Sequence, residues 1–250
     1  MGLLDKLFGK KNKEDTKVVY TPEEYEKYIT SPSEVGVFDF DPKYANQEET
    51  LLEIYGPARE LDKHISILII ADCRGNLEEI KFKRFIENRH YDICLLLGDF
   101  SGNDVDTIIK YVDNRKIYAL LGNHDYKNYI RDNGLKDLNG RLIEVNGVTF
   151  TGIQGTFKYK PIDFPSFTQK GSIDFLKDTE PVDILVSHDT KFNSEAIEDP
   201  AHQGLFGITY YIYKNRVPYN IHGHLHEPFK KVMLNGTNEI SSYMYEIIDL

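Results

Sequence analysis

Five short segments of this sequence hold side chains that bind metal ions or move protons. They are Asp72 to Asn76, Gly98-Asp99, Gly122-Asn123-His124-Asp125, His188-Asp189 and His222-Gly223-His224-Leu225-His226. Each follows an apolar run. A lone Asp or His after such a run is usually a turn residue or a helix cap. Five in order, holding five of the chain's eight histidines, are hard to explain as caps. Carboxylate or amide oxygen together with imidazole nitrogen suits Zn, Mn or Fe better than Ca or soft copper. A carboxylate such as Asp99 has two oxygens and can bridge two ions. Two ions about 4 Å apart can hold both the attacking and the leaving oxygen of a displacement at phosphorus, and they acidify a shared water. Glycines before Asp99, Asn123 and His224 allow close approach of backbone and phosphate.

The elements that must position these groups follow from hydrophobic pattern. Ile65 to Ala71, Ile93 to Leu97 and Ile117 to Leu121 read as strands buried on both faces, and Leu77 to Asn88 and Asp104 to Val112 as amphipathic helices between them. That alternation predicts a parallel core sheet with helices on its faces. Asn146-Gly147 between Arg141–Val145 and Val148–Ile153 predicts a hairpin. Ser172 to Asp178 and Leu205 to Lys214 read as helices, and Asp183 to Ser187 and Tyr219 to His222 as strands. Lys230 to Leu234 and Ser241 to Ile248 read as closing strands around Asn235-Gly236. In open α/β sheets ligands bind at the carboxyl ends of the strands, so groups more than 150 positions apart should converge there.

Residues 1–16 read as a charged tail, and 1–13 carry Leu3, Leu4, Leu7 and Phe8 at helical spacing ahead of lysines, which allows weak membrane-surface contact. A frayed tail is the preferred reading, because so short a helix is marginal in water. Residues 17–64 form an expected N-terminal helical extension. A helix starts at Thr21, with Glu24 completing a capping box and Pro22 at the first helical position, and a second spans Asn46 to Tyr55 before Gly56-Pro57. The extension either packs on the main domain, 65–250, or docks a partner of unknown kind.

With 250 residues, 40% of them hydrophobic, the chain can bury a large core. A net charge of -10 disfavours long nucleic acids as partners. Two cysteines, Cys73 and Cys94, make no disulfide framework and fit a reducing, cytoplasmic setting. No apolar run approaches the roughly 20 residues of a membrane span, and no signal peptide is expected.

The five segments together resemble the calcineurin-like metallophosphoesterases, especially their compact bacterial and archaeal phosphodiesterase branch. That family reads Asp-x-His, Gly-Asp, Gly-Asn-His-Asp/Glu, His and Gly-His-x-His. The resemblance covers about residues 65 to 250. It implies an α/β fold, a metallophosphoesterase-type β-sandwich of two mixed sheets flanked by helices, with the metal site at the carboxyl ends of the strands. It implies one ion on Asp72, Asp99 and His226 and another on Asp99, Asn123, His188 and His224, drawn from Mn, Zn, Fe or Ni. His124 would contact the phosphate as acid or charge stabiliser, and Asp125 would orient His124 by a hydrogen bond. His222 would support the ligands rather than join them. The implied activity is hydrolysis of a small phosphate ester, a phosphodiester or nucleotide-type substrate, by metal-activated water. The alternative is a catalytically weak or silent binding or scaffold protein on the same fold.

One position departs from the pattern. Arg74 stands where the family has a histidine ligand, and arginine stays protonated and cannot ligate a metal. A unit charge pair about 4 Å apart is worth roughly 4 kcal/mol at an effective dielectric of 20, and repulsion of a divalent ion about twice that. Arg74 either forks onto Asp72 and replaces one ion, leaving one metal per chain, or swings outward to bind substrate while two remain. The first arrangement is favoured, because one divalent ion and one guanidinium more than balance Asp72 and Asp99.

Overall fold

The computed structural model describes residues 21–23, 48–125, 128–161, 163–193 and 199–250. The tail expected over 1–13 and 1–16, most of the helix expected from Thr21, and Asn46 lie outside them; Pro22 and Glu23 are helical.

Two sheets pack face to face. In the first, β1 (Ser66–Ala71), β2 (Ile93–Leu96), β3 (Ile117–Ala119) and β4 (Lys136–Asp137) run parallel in that order. In the second, β5 (Ile143–Val145) pairs antiparallel with β6 (Val148–Ile153) across Asn146 and Gly147, both at positive φ as a tight hairpin turn requires. A short parallel pair, β7 (Thr156–Phe157) and β8 (Ser166–Phe167), stands apart. Next to β6 lie, in spatial order, β9 (Ile184–Ser187) and β10 (Tyr219–His222), both parallel. The C-terminal stretch forms three strands rather than the two expected. β11 (Phe229–Val232) and β12 (Asn238–Ser241) make a hairpin on the second sheet, and β13 (Met244–Asp249) crosses to pair antiparallel with β1. The expected strand Ser241 to Ile248 is cut because the Ser242 N–H donates to the His222 carbonyl at 2.8 Å and Met244 turns the chain at φ 64.

Burial explains the unbroken apolar runs. Ile67, Ile69 and Ala71 of β1 point into the inter-sheet core with Leu95, Phe150, Val186 and Ile221. Leu68 and Ile70 point outward, against Phe82 and Ile86 of α2 (Glu79–Ile86) and Val105 and Ile108 of α3 (Gly102–Tyr111), with α1 (Glu48–Tyr55) preceding both in the chain. With both faces covered, neither parity can be polar. Each such side chain contributes roughly 1.5–3 kcal/mol on burial. After α4 (Tyr129–Asp132), the outer face of the second sheet is covered by α5 (Gln169–Leu176) and α6 (Phe206–Lys214). α6 is buried from Phe206 to Tyr213, as a helix apolar all round must be. α1 caps α6 through the fully buried Leu51, and its Glu48 accepts from the Tyr213 hydroxyl at 2.9 Å.

Candidate metal centre

Asp72 follows β1, Asp99 follows β2, Asn123 follows β3, His188 follows β9, and His224 and His226 follow β10, so five parallel strands deliver their next residues to one edge. The six side chains lie together there. His188 Nε2 is 3.0 Å from Asn123 Oδ1 and 3.7 Å from Asp99 Oδ1. The His188 and His224 rings are 5.0 Å apart. The His224 N–H donates to Asp72 Oδ2 at 2.8 Å, and His226 Nε2 lies 3.5 Å from Asp72 Oδ1. Asp72, Asp99 and His226 each offer one ligand atom, all within 4.8 Å of one another. The group expected on Asp72, Asp99 and His226 thus lies within ligand reach of one point, and Asn123, His188 and His224 cluster beside it.

The backbone is bent to do this. Asp72 (φ 56), Asp99 (φ 62), His224 (φ 67) and His226 (φ 55) all sit in the left-handed region. For side chains other than glycine that costs about 1–3 kcal/mol each and persists only where the surroundings enforce it. Gly122 provides the space: a Cβ there would lie 2.2 Å from Asp99 Oδ1 and 2.6 Å from His188 Cε1.

Hydrogen bonds orient the imidazoles. His188 Nδ1 donates to the Leu97 carbonyl at 2.6 Å, which turns Nε2 toward Asn123 and Asp99. His224 Nε2 donates to the Ala201 carbonyl at 2.7 Å, leaving the Nδ1 lone pair free, and burial with the neighbouring His188 pushes its pKa down to about 3. Among the described residues, His224 Nδ1 and Asp72 Oδ1 are buried acceptors with no hydrogen-bond partner. Orphaned acceptors are costly in a protein interior, and here both belong to the proposed ligand set. The site fits a divalent cation. Burial opposes charge on His188, but Asp99 and Asp72 outweigh it and raise its pKa. Burial likewise opposes charge on Asp99, yet His188, the His124 N–H and Arg74 hold its pKa below the usual carboxylate value.

Arg74 does not fork onto Asp72. Its Nη2 and Nε donate to Asp99 Oδ2 at 2.6 and 3.1 Å. The turn that carries it decides this. Asp104 accepts the Gly75 and Leu77 N–H groups at 2.6 and 3.1 Å, the Arg74 N–H donates to the Asp99 carbonyl at 3.1 Å, and Asp72 Oδ2 is already taken by His224. Asp104 lies outside the five sequence segments, although Ser101 and Asp104 show capping-box spacing and form that box at the start of α3.

Asp125 also differs from expectation. Its carboxylate turns away from orienting His124 and accepts the Gly122, Asp99 and Phe100 N–H groups at 2.7, 2.9 and 2.9 Å. Three main-chain donors converge on it because the loops after β2 and β3 run side by side. Its pKa is pushed up to about 6 by burial, which the three donors only partly offset. His124 is half-buried, with its N–H on Asp99 Oδ1 at 2.8 Å, and it lines a cleft of about 330 Å³ with Phe100, Ser101 and Tyr129. Burial lowers its pKa, Asp99 opposes that, and the charges of Arg74 and Lys160 add to it. His222 is buried behind the ligands, facing Glu239 Oε1 at 3.2 Å and the Gly223 carbonyl at 3.1 Å. Tyr159, whose hydroxyl accepts from Asn123 Nδ2 at 3.1 Å, carried no sequence signal.

The family model described as calcineurin-like phosphoesterase matches residues 65–228. No curated protein matches the chain. Among solved structures, a protein from Thermus thermophilus is 14% identical with a TM-score of 0.53, over 72% of this chain and 89% of that one. A candidate 5′-nucleotidase from Staphylococcus aureus is 14% identical with a TM-score of 0.51, over 75% of this chain and 51% of that one. Likeness at this identity shows the shared fold.

Proposed function

The chain belongs to the calcineurin-like phosphoesterase family and is a metal-dependent phosphoesterase, and from that premise we propose that it hydrolyses a small phosphate ester, either a phosphodiester or a nucleotide-type compound. The observation that carries this is the convergence of Asp72, Asp99, Asn123, His188, His224 and His226, with two buried lone pairs of that set unpartnered among the described residues. A divalent ion, Mn, Zn, Fe or Ni, supplies an acidified water and neutralises phosphate charge when bound. The chain's own groups do the rest. His124 stands beside Asp99 in the lining of the cleft, where it meets the departing ester oxygen as acid or charge stabiliser. Asp125 keeps the two loops that hold Asp99 and His124 in register. Arg74, about a third exposed, presents its remaining N–H donors to the phosphate.

The test is turnover of bis-p-nitrophenyl phosphate and p-nitrophenyl phosphate with each metal added. Turnover is expected to be metal-dependent and to fall by about 10²–10⁴ in His124→Ala. Turnover absent with every metal, or indifferent to His124→Ala, rejects the reading. The net charge of -10 favours small substrates over long nucleic acids. No described helix is long and apolar enough to cross a membrane.

Arg74 on Asp99 also favours a second reading, a phosphate-binding scaffold with little turnover, because the guanidinium takes an oxygen that a bridging carboxylate would give to an ion. It predicts that the whole chain binds orthophosphate yet turns over neither aryl ester. Turnover of either at ordinary enzymatic rates removes it.

A further inference from the structure

The loop between β7 and β8 reaches the centre from outside all five sequence segments. Its base is locked: Thr156 and Phe157 pair with Ser166 and Phe167, and the Phe157 N–H donates to Asp189 Oδ2 at 3.0 Å. Asp189 is the buried neighbour of His188, so loop and ligand share one anchor. Just beyond that base the Tyr159 hydroxyl touches Asn123, and the Tyr159 and Phe164 rings pack at 5.3 Å. The Lys160 ammonium stands over both rings, 4.9 Å from one centroid and 5.1 Å from the other. Lys160 is half-buried, and among the described residues no carboxylate pairs with it.

A half-buried lysine held on two aromatic faces, with no carboxylate partner among the described residues, is arranged to receive an anion. We propose that Lys160 is a phosphate-binding residue of this centre, seated on Phe164 and on the Tyr159 whose hydroxyl meets Asn123. This deepens the phosphoesterase reading and rests on it for the identity of the anion. The rings hold an otherwise flexible side chain, so less conformational entropy is lost when the phosphate arrives.

The experiment is calorimetric binding of orthophosphate to the whole metal-loaded chain, with metal content measured on the same samples. A hydrogen bond to a charged group is worth about 1.5–3 kcal/mol, so Lys160→Gln should weaken phosphate binding by about ten- to a hundredfold at unchanged metal content. Tyr159→Ala, which removes the ring beneath the ammonium, should weaken it in the same direction. Equal affinity in the parent and Lys160→Gln overturns the proposal. So does a parallel loss of metal, which would make Lys160 a support of the centre instead. Binding needs no turnover, so the two readings fail separately. A chain that hydrolyses no ester but loses phosphate on Lys160→Gln keeps this proposal and loses the hydrolase. A chain that hydrolyses both aryl esters and binds phosphate equally with and without Lys160 does the reverse.

Discussion

The Arg74 guanidinium donates two hydrogen bonds to a single oxygen of Asp99, a carboxylate whose side chain is 0% exposed. The other oxygen faces His188 and the His124 N–H. A cation built into the chain therefore sits where an ion bridged by Asp99 would compete with it. The expected outcome is about one divalent ion per chain, rising toward two in Arg74→His, because a neutral imidazole removes the like-charge repulsion and adds a ligand. Elemental analysis of both proteins decides it. Two ions per chain before and after the change would show that Arg74 and the second ion coexist.

Asp125 should act through the backbone. Replacing it with Asn leaves one acceptor oxygen for three N–H donors, so at least one buried donor faces an amide NH₂. Asp125→Asn is expected to cost about 1–3 kcal/mol of stability in urea unfolding and to lower metal content, since the Phe100 N–H next to Asp99 loses its acceptor even when the amide oxygen keeps the Asp99 and Gly122 N–H groups. Unchanged stability with an altered pH–rate profile would restore the orienting role toward His124.

Leu51 belongs to the core, although the family match begins at residue 65. It fills the space over α6 with Tyr210 and Tyr211, so Leu51→Ala should cost about 2–5 kcal/mol. The cluster it fills lies over α6, so the ion content should not change. A loss below about 1 kcal/mol would mean that α1 is detachable.

Asp183 gives the protein an acid-side weakness away from the metal centre. Burial raises its pKa, but the Thr149 N–H and hydroxyl, together with Lys63 and Arg59, prevail and hold it below the usual carboxylate value. A depressed carboxylate contributes stability that is fully present above the unfolded value and is lost as pH falls through the folded one. Melting temperatures of the parent and Asp183→Asn should therefore differ most at neutral pH and converge as pH falls below about 4. A gap that stays constant from neutral to strongly acid pH would show that the charge is not what matters.

The apolar runs at β1, β2, β3 and β9 made those strands legible, because a strand covered on both faces by apolar groups has no polar parity to blur it. The crossing of β13 to the first sheet was not legible: Ser241 to Ile248 keeps one apolar pattern, and the break depends on a distant carbonyl, that of His222. The partners of Arg74 and Asp125 were equally hidden, since each is set by main-chain N–H groups from another loop.

By itself, then, the sequence determined which side chains meet, because parallel strands send the residues that follow them to one edge whatever the loops do. Only the tertiary structure decided what each of those side chains holds. That depends on left-handed backbone at Asp72, Arg74 and Asp99 and on donors brought in from far along the chain, such as the Tyr159 loop, and no local pattern of residues encodes either.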